Sequence, residues 1–147
     1  MRKEKTTKKE DKTRKEFKEF IKCINLRNIY VKNSVCKIDK NLFSKEKNEV
    51  SVKESFSTGV NQDNYFEVLC NFLVEIKNGK KIPVSINVIF CMEYNTTIKL
   101  KKELFPNLIH GHIKLTIIPY LREFVSGSST RMGIPPIILP LYKVIPK

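Results

Sequence analysis

YFEVLCNFLVEIKNGKKIPVSINVIFCME, residues 65–93, is the stretch on which the fold turns. Phe66, Val68, Cys70, Phe72, Val74 and Ile76 recur with period two, and so do Ile82, Val84, Ile86, Val88, Phe90 and Met92. Each half is therefore a strand with one apolar face. A two-residue Asn78-Gly79 turn of type I′ would set Val74 against Pro83 and throw the two stripes onto opposite faces. A three-residue loop, Lys77-Asn78-Gly79 with Gly79 left-handed in a G1 bulge, instead aligns Val74 with Ile82, Phe72 with Val84 and Phe66 with Phe90. The bulged hairpin is the expected arrangement. Pro83 has no N–H to give a ladder, so it must face away from a partner strand or sit at a bulge.

Outward from the hairpin, Glu49 to Phe56 alternates as a second strand, and Phe20 to Val31 reads as a first strand with a bulge near Arg27-Asn28. Lys37 to Asn48 and Thr58 to Asn64 are polar and read as connections. After Asn95 the period lengthens. Thr96-Thr97 can cap a short helix, Ile98 to Leu104, that Phe105-Pro106 would end. Ile113, Ile117, Leu121, Phe124 and Val125 recur at helical spacing, with Ile118 widening the stripe. Pro119 is comfortable only in a first turn, which predicts a regular helix from about Ile118 to Val125, ended by Gly127-Ser128-Ser129. Pro135, Pro136 and Pro140 force an extended final segment, expected to lie over the body. The pattern implies an α+β fold: a four-stranded antiparallel sheet with helices packed on one face.

The 147 residues suit one domain that buries about 70% of its unfolded surface. Residues 1–16, almost devoid of apolar side chains, read as a disordered or fraying helical basic arm ahead of a folded domain over 17–147. The net charge is +13; residues 1–22 hold ten Lys/Arg against five Asp/Glu, and the body is also basic. Such potential favours nucleic acid, ribosomes, anionic membranes or acidic polypeptides without selecting among them, and it also keeps an apolar-surfaced protein soluble. The first twenty residues lack the apolar run of a signal peptide, and no later stretch matches a membrane span, so a cytoplasmic protein with no membrane insertion is expected. Cys23, Cys36, Cys70 and Cys91 have no C-x-x-C spacing and are expected to be reduced small hydrophobes.

Catalytic patterns are weak. His110-Gly111-His112 lacks a carboxylate or thiolate at ligand spacing, which argues against a metal. Arg122-Glu123 are neighbours that do not share a helix face, and Gly127-Ser128-Ser129 has no strand-to-helix frame for a nucleophile. No enzyme activity and no cofactor are expected.

Asn64-Tyr65-Phe66-Glu67-Val68 running through Gly79 to Phe90, then Pro119-Tyr120-x-Arg122-Glu123, then Gly133-x-Pro135-Pro136-Ile137-x-Leu139-x-Pro140, resemble the SecB family of protein-export chaperones in order, type and spacing. Cys23 to Lys32 fits the family's first strand more weakly, and the resemblance spans roughly Phe20 to Tyr142. It implies a homotetramer, a dimer of dimers, that holds unfolded or precursor proteins in apolar grooves without ATP. Two departures bear on partners. The family hands clients to the SecA motor partly through acidic residues near the hairpin, where this chain has Lys77, Lys80 and Lys81, which argues against ordinary SecA docking at that surface. The family's further C-terminal helix and acidic tail have no counterpart before Lys147. SecB-like chaperones that guard antitoxins are the other branch of the resemblance.

A holding chaperone needs apolar surface beside polar ground. Candidates for a client-binding groove are Phe56 on the second strand, Phe105, Leu108 and Ile109 in the crossover, and Ile117, Tyr120 and Leu121 on the helix. The competing reading places each of them in ordinary core. The runner-up function is a basic RNA- or ribosome-associated module, or weaker non-specific nucleic-acid binding, with charge as its whole case because no RNP-like or KH-type motif is present.

Overall fold

A computed structural model describes residues 2–43 and 48–139, with side chains from residue 6 onward. Its centre is a four-stranded antiparallel sheet in the order β1-β4-β3-β2, formed by β1 (Ile24–Ile38), β2 (Glu49–Asn61), β3 (Tyr65–Asn78) and β4 (Lys81–Thr96). The hairpin strands are the two inner ones, as their continuous apolar stripes require: Phe66, Val68, Cys70, Phe72, Val74, Val84, Ile86, Val88, Phe90 and Met92 are all buried. Glu67, Leu69, Asn71 and Leu73 alternate with them on β3 and point to the opposite face.

The hairpin register differs from the expected one. Asn78 pairs with Lys81 across the turn residues Gly79 and Lys80, Ile76 pairs with Val84, and from there Val74 faces Ile86 and Cys70 faces Phe90. Gly79 does take a left-handed conformation, φ 60°. Between the pairs Asn78–Lys81 and Ile76–Val84, β3 advances two residues while β4 advances three, so the extra residue falls at Ile82-Pro83. Pro83 thus sits at a bulge, where a missing N–H does least harm to an inner strand. Ile82, expected in the apolar stripe, is pushed out to 43% exposure.

β1 carries the expected bulge between Leu26 and Asn28 and a second between Val31 and Asn33, and runs on to Ile38. Its second half, Val31 to Lys37, is exposed, so the apolar alternation that marks a half-buried strand is missing there. β2 likewise extends beyond Phe56 to Asn61.

Helices cover one face of the sheet. Within the stretch read as a disordered or fraying helical arm, the structure has α1 (Arg2–Lys22), a helix that runs on past residue 16. Phe20 packs at 5.9 Å from the Phe66 ring, and Phe17 lies over Gly111, where a Cβ would come within 3.3 Å of the ring. Glycine at 111 is what lets α1 approach this closely.

The second helical run corrects the expected boundaries. Thr96 closes a local turn, its hydroxyl accepting from the Ile98 N–H at 3.1 Å, and helix begins only at a 3-10 turn over Lys102–Leu104. Phe105-Pro106 opens α2 (Phe105–Leu108) rather than ending a helix, because a proline in the first turn lacks only an N–H that has no intrahelical partner. A π-helical turn, Ile109–Ile113, links α2 to α3 (Lys114–Arg131). Leu104, Leu108, Ile113, Ile117, Leu121 and Val125 are buried along this run; the five-residue step from Leu108 to Ile113 is the π turn, whose added residue keeps the stripe facing the sheet.

Pro119 lies inside α3, exposed, with the helix continuing on both sides. Gly127 and the serines do not end it. Ser129 and Thr130 donate back to the carbonyls of Val125 (2.6 Å) and Ser126 (3.1 Å) and so stay helical. The stop is Gly133 at φ 74°, with its N–H on the Thr130 carbonyl and the Ile134 N–H on the Ser129 carbonyl, the paired bonds of a Schellman motif. Beyond it the chain is irregular, and Ile137 and Leu139 are buried against the body as expected. Pro140 lies outside the described residues.

Candidate functional site

An apolar groove of about 450 Å³ runs beside the outer edge strand β2. Its floor is Ile76, 7% exposed, and its walls are Val50 of β2, Phe43, and Ile134, Pro136 and Ile138 of the segment after α3. Val50 is 46% and Ile138 80% exposed, so the lips of the groove are apolar and open to water. Two features hold the far wall in place. The Schellman cap turns the chain back over α3, and the Ser129 hydroxyl accepts the Ile137 N–H at 3.3 Å while donating to Val125. The serines considered as a weak nucleophile pattern are therefore a buried clasp.

The expected groove residues are not brought together. Leu108, Ile109, Ile117 and Leu121 are core residues beneath the sheet, with at most 6% exposure, and offer no surface to a ligand. Their helical spacing marks a buried face as readily as a binding face, and here it marks the former. Phe105 is half-buried against the core, and Tyr120 is 49% exposed on α3. Phe56 is half-buried under β2, edge-on to Phe72 at 5.8 Å. Sequence reasoning passed over Phe43, Val50, Ile134 and Ile138. The available signal was the Gly133-Ile134-Pro135-Pro136-Ile137-Ile138 string itself, in which successive apolar residues on a non-helical, proline-bound backbone cannot all turn inward.

Beside Phe56 lies a partly buried ion pair. The Lys114 ammonium, at the start of α3, donates to the Glu54 carboxylate on β2 and stands 5.7 Å from the centre of the Phe56 ring. It ties the edge strand to the helix layer.

Among the described residues no three His, Cys, Asp or Glu side chains come together as a metal site would need. His110 is exposed. His112 is half-buried edge-on to Tyr94, with ring centres 5.8 Å apart, and its Nε2 and the Tyr94 hydroxyl have no hydrogen-bond partner among the described residues. Burial lowers the His112 pKa from the ordinary 6.5. The folded state then binds fewer protons than the unfolded state, so stability is complete above about pH 6.5 and declines as pH falls toward the depressed native value. Melting temperatures taken from about pH 8 to about pH 5 will fall through this window, and His112→Gln will flatten the fall. A variant as steep as the parent would remove His112 as the cause.

Cys70 and Cys91 are buried, Cys23 is partly so, and Cys36 is exposed on β1; all four are free thiols. Burial pushes Cys70 up to about 12, leaving it an inert apolar group 3.8 Å from the Met92 sulfur. Lys77, Lys80 and Lys81 gather at the hairpin tip, Lys77 half-buried and the other two exposed. No helix among the described residues is long and apolar enough to cross a membrane.

The sheet order and the covering helices give the chain an α+β fold of SecB type. Among solved structures it is similar to the SecB-like chaperone Rv1957 of Mycobacterium tuberculosis, solved in complex with a ChAD peptide from the Rv1956 HigA1 antitoxin, with a TM-score of 0.67 and 16% identity over 85% of this chain and 94% of that one. It is also similar, at a TM-score of 0.44 and 10% identity over 80% of this chain and 97% of that one, to a protein of unknown function from Streptococcus agalactiae. No family model and no curated protein sequence matches.

Proposed function

We propose that the protein is an ATP-independent holding chaperone that keeps extended, apolar segments of other polypeptides from aggregating. The observation that carries this reading is the open groove beside β2, with isoleucine and valine on its lips and, among the described residues, no strand paired to the outer edge of β2. An extended segment can place alternate apolar side chains in such a groove and pair its backbone with the edge. Binding of that kind is modest per residue and needs no nucleotide to reverse it. The SecB-like fold supports the same reading, as does the antitoxin peptide held by the mycobacterial chaperone of that fold. Clients in this proposal are non-native chains, whether precursors for export or an antitoxin. Phe56, Phe105 and Tyr120 would be further client contacts outside this groove. The basic body would favour segments with acidic residues, and Lys77, Lys80 and Lys81 would form a separate partner-docking surface. Assembly as a dimer of dimers belongs to the proposal and would place the particle at four times the 17.2 kDa of the chain in light scattering.

The test is suppression of light scattering when a denatured model protein is diluted into this protein at moderately high salt. The parent is expected to suppress it. Val50→Asp with Ile138→Asp, two exposed positions where a charge costs the fold little, is expected to lose most of the effect. A parent that leaves aggregation unchanged, or a double variant as active as the parent, would overturn the reading.

A further inference from the structure

The cations of α1 are not spread evenly around it. Lys8, Lys9, Lys12 and Lys15 fall at i, i+1, i+4 and i+7, a helical stripe about 10 Å long. Phe17 and Ile21, which pack on the body, lie on a different side of the helix, and Phe20 borders the stripe at Lys9. Lys8, Lys9, Lys12 and Lys15 are all exposed. At its body end the stripe runs into a hollow of about 280 Å³, where Lys15 is joined by Lys99 and Lys101 from the turn after β4. Lysines from two separate elements thus line the corner between the projecting helix and the sheet layer.

Two carboxylates share that hollow. Glu16 and Glu19 also line it, and Glu19 pairs with Lys22 at 3.3 Å. Glu10 lies on the side facing His110 and Gly111, where Lys9 at the edge of the stripe joins it, and Asp11 falls at the opposite margin. Between Lys8 and Lys15 no acidic residue shares the face of Lys8, Lys12 and Lys15; Glu16 and Glu19 enter it only at the body end.

We propose that this side of α1, with Lys99 and Lys101 at its foot, is a docking surface for the phosphate backbone of double-stranded nucleic acid. Charge complementarity selects the occupant. A duplex carries about one negative charge per 1.7 Å of axis, so a 10 Å lysine stripe faces about six of them. Single strands are held by aromatic platforms on which bases stack, and the corner has none: Phe20 is 1% exposed and Phe17 is half-buried against Gly111. The surface is distinct from the apolar groove, so the two activities separate.

The experiment is fluorescence anisotropy of a labelled duplex of about 20 base pairs titrated with the full chain across a salt series. Binding is expected to weaken with a log–log slope of about −4 to −6. Lys8→Glu with Lys12→Glu and Lys15→Glu is expected to lower affinity by about a hundredfold or more and the slope magnitude by about 3. Lys8→Gln with Lys12→Gln and Lys15→Gln, which keeps helix-compatible side chains, is expected to give a smaller loss in the same direction. Circular dichroism and suppression of aggregation should stay as in the parent. Reversal of Lys77, Lys80 and Lys81, at the opposite end of β4, serves as the charge-matched control. Absence of duplex binding at low salt would overturn the proposal, as would an equal loss from the hairpin control. Tighter binding of polyglutamate would reassign the surface to acidic protein, and tighter binding of a single strand would reassign it to another mode of nucleic-acid recognition; either result overturns it.

Discussion

Glu54→Leu will destabilise the protein by about 2 kcal/mol, whereas Lys114→Met will cost less than half as much. The asymmetry follows from where the two charges lie. The Lys114 side chain is 10% exposed and the Glu54 side chain 33%. Without Glu54, the Lys114 ammonium loses its carboxylate and keeps its other contacts, the face of Phe56 at 5.7 Å among them, and attraction to a ring is weaker than an ion pair. Without Lys114, the carboxylate sits on an edge strand a third open to water and can rehydrate. Methionine meanwhile fills the space of the lysine stem. The double variant, Glu54→Leu with Lys114→Met, should return to within about 1 kcal/mol of the parent, because two apolar side chains of similar volume replace both charges at once. Urea denaturation with an unchanged slope measures all three. Equal costs for the two single changes would mean that both charges are solvated and the pair is a surface contact.

Such a pair also bears on the groove. β2 is an edge strand held by β3 along one side only, and Glu54 lies four residues from Val50 on the groove's lip. Anchoring Glu54 to α3 fixes the strand that forms one wall, while the Schellman cap and Ser129 fix the other. The groove is thus defined by polar contacts at its margins and apolar side chains within it.

The central hairpin was legible because its residues satisfy one rule twice over: period-two apolar stripes on both strands. Its register was not. The observed pairing of Val74 with Ile86 is four residues from the expected pairing with Ile82. A slide by an even number leaves every side chain on the same face, so the burial pattern cannot separate the two arrangements. What decides between them is the turn at Gly79-Lys80 and the bulge at Ile82-Pro83, and of these only the constraint on Pro83 could be read in advance. The second half of β1 was missed for the opposite reason: its exposed side chains need no alternation. Helix α3 was cut short at both ends because Pro119 and Gly127 were given their average preferences. Buried packing at Ile117, Leu121 and Val125 holds helical geometry through both. The groove escaped notice because its walls come from Phe43, Val50 and Ile134 to Ile138, which are far apart in sequence and share no period.

The largest single loss of stability on α3 is expected at Leu121, and it separates the two readings of the helical stripe. Leu121 is 1% exposed and Ile117 is fully buried, both beneath the inner face of the sheet. Leu121→Ala leaves a cavity in a packed layer and should cost about 2–5 kcal/mol, with Ile117→Ala in the same range. Tyr120, one residue away and 49% exposed, should cost within about 0.5 kcal/mol when changed to alanine. If the stripe were a client surface, the order would reverse in a binding assay: Leu121→Ala and Ile117→Ala would weaken capture of a denatured protein while leaving the denaturation midpoint near that of the parent. The structure requires the first pattern. Chemical denaturation and aggregation suppression measured on the same three variants, below the temperature at which Leu121→Ala begins to unfold, distinguish them. A stable Leu121→Ala that no longer holds clients would move the binding surface from the β2 groove to the underside of α3.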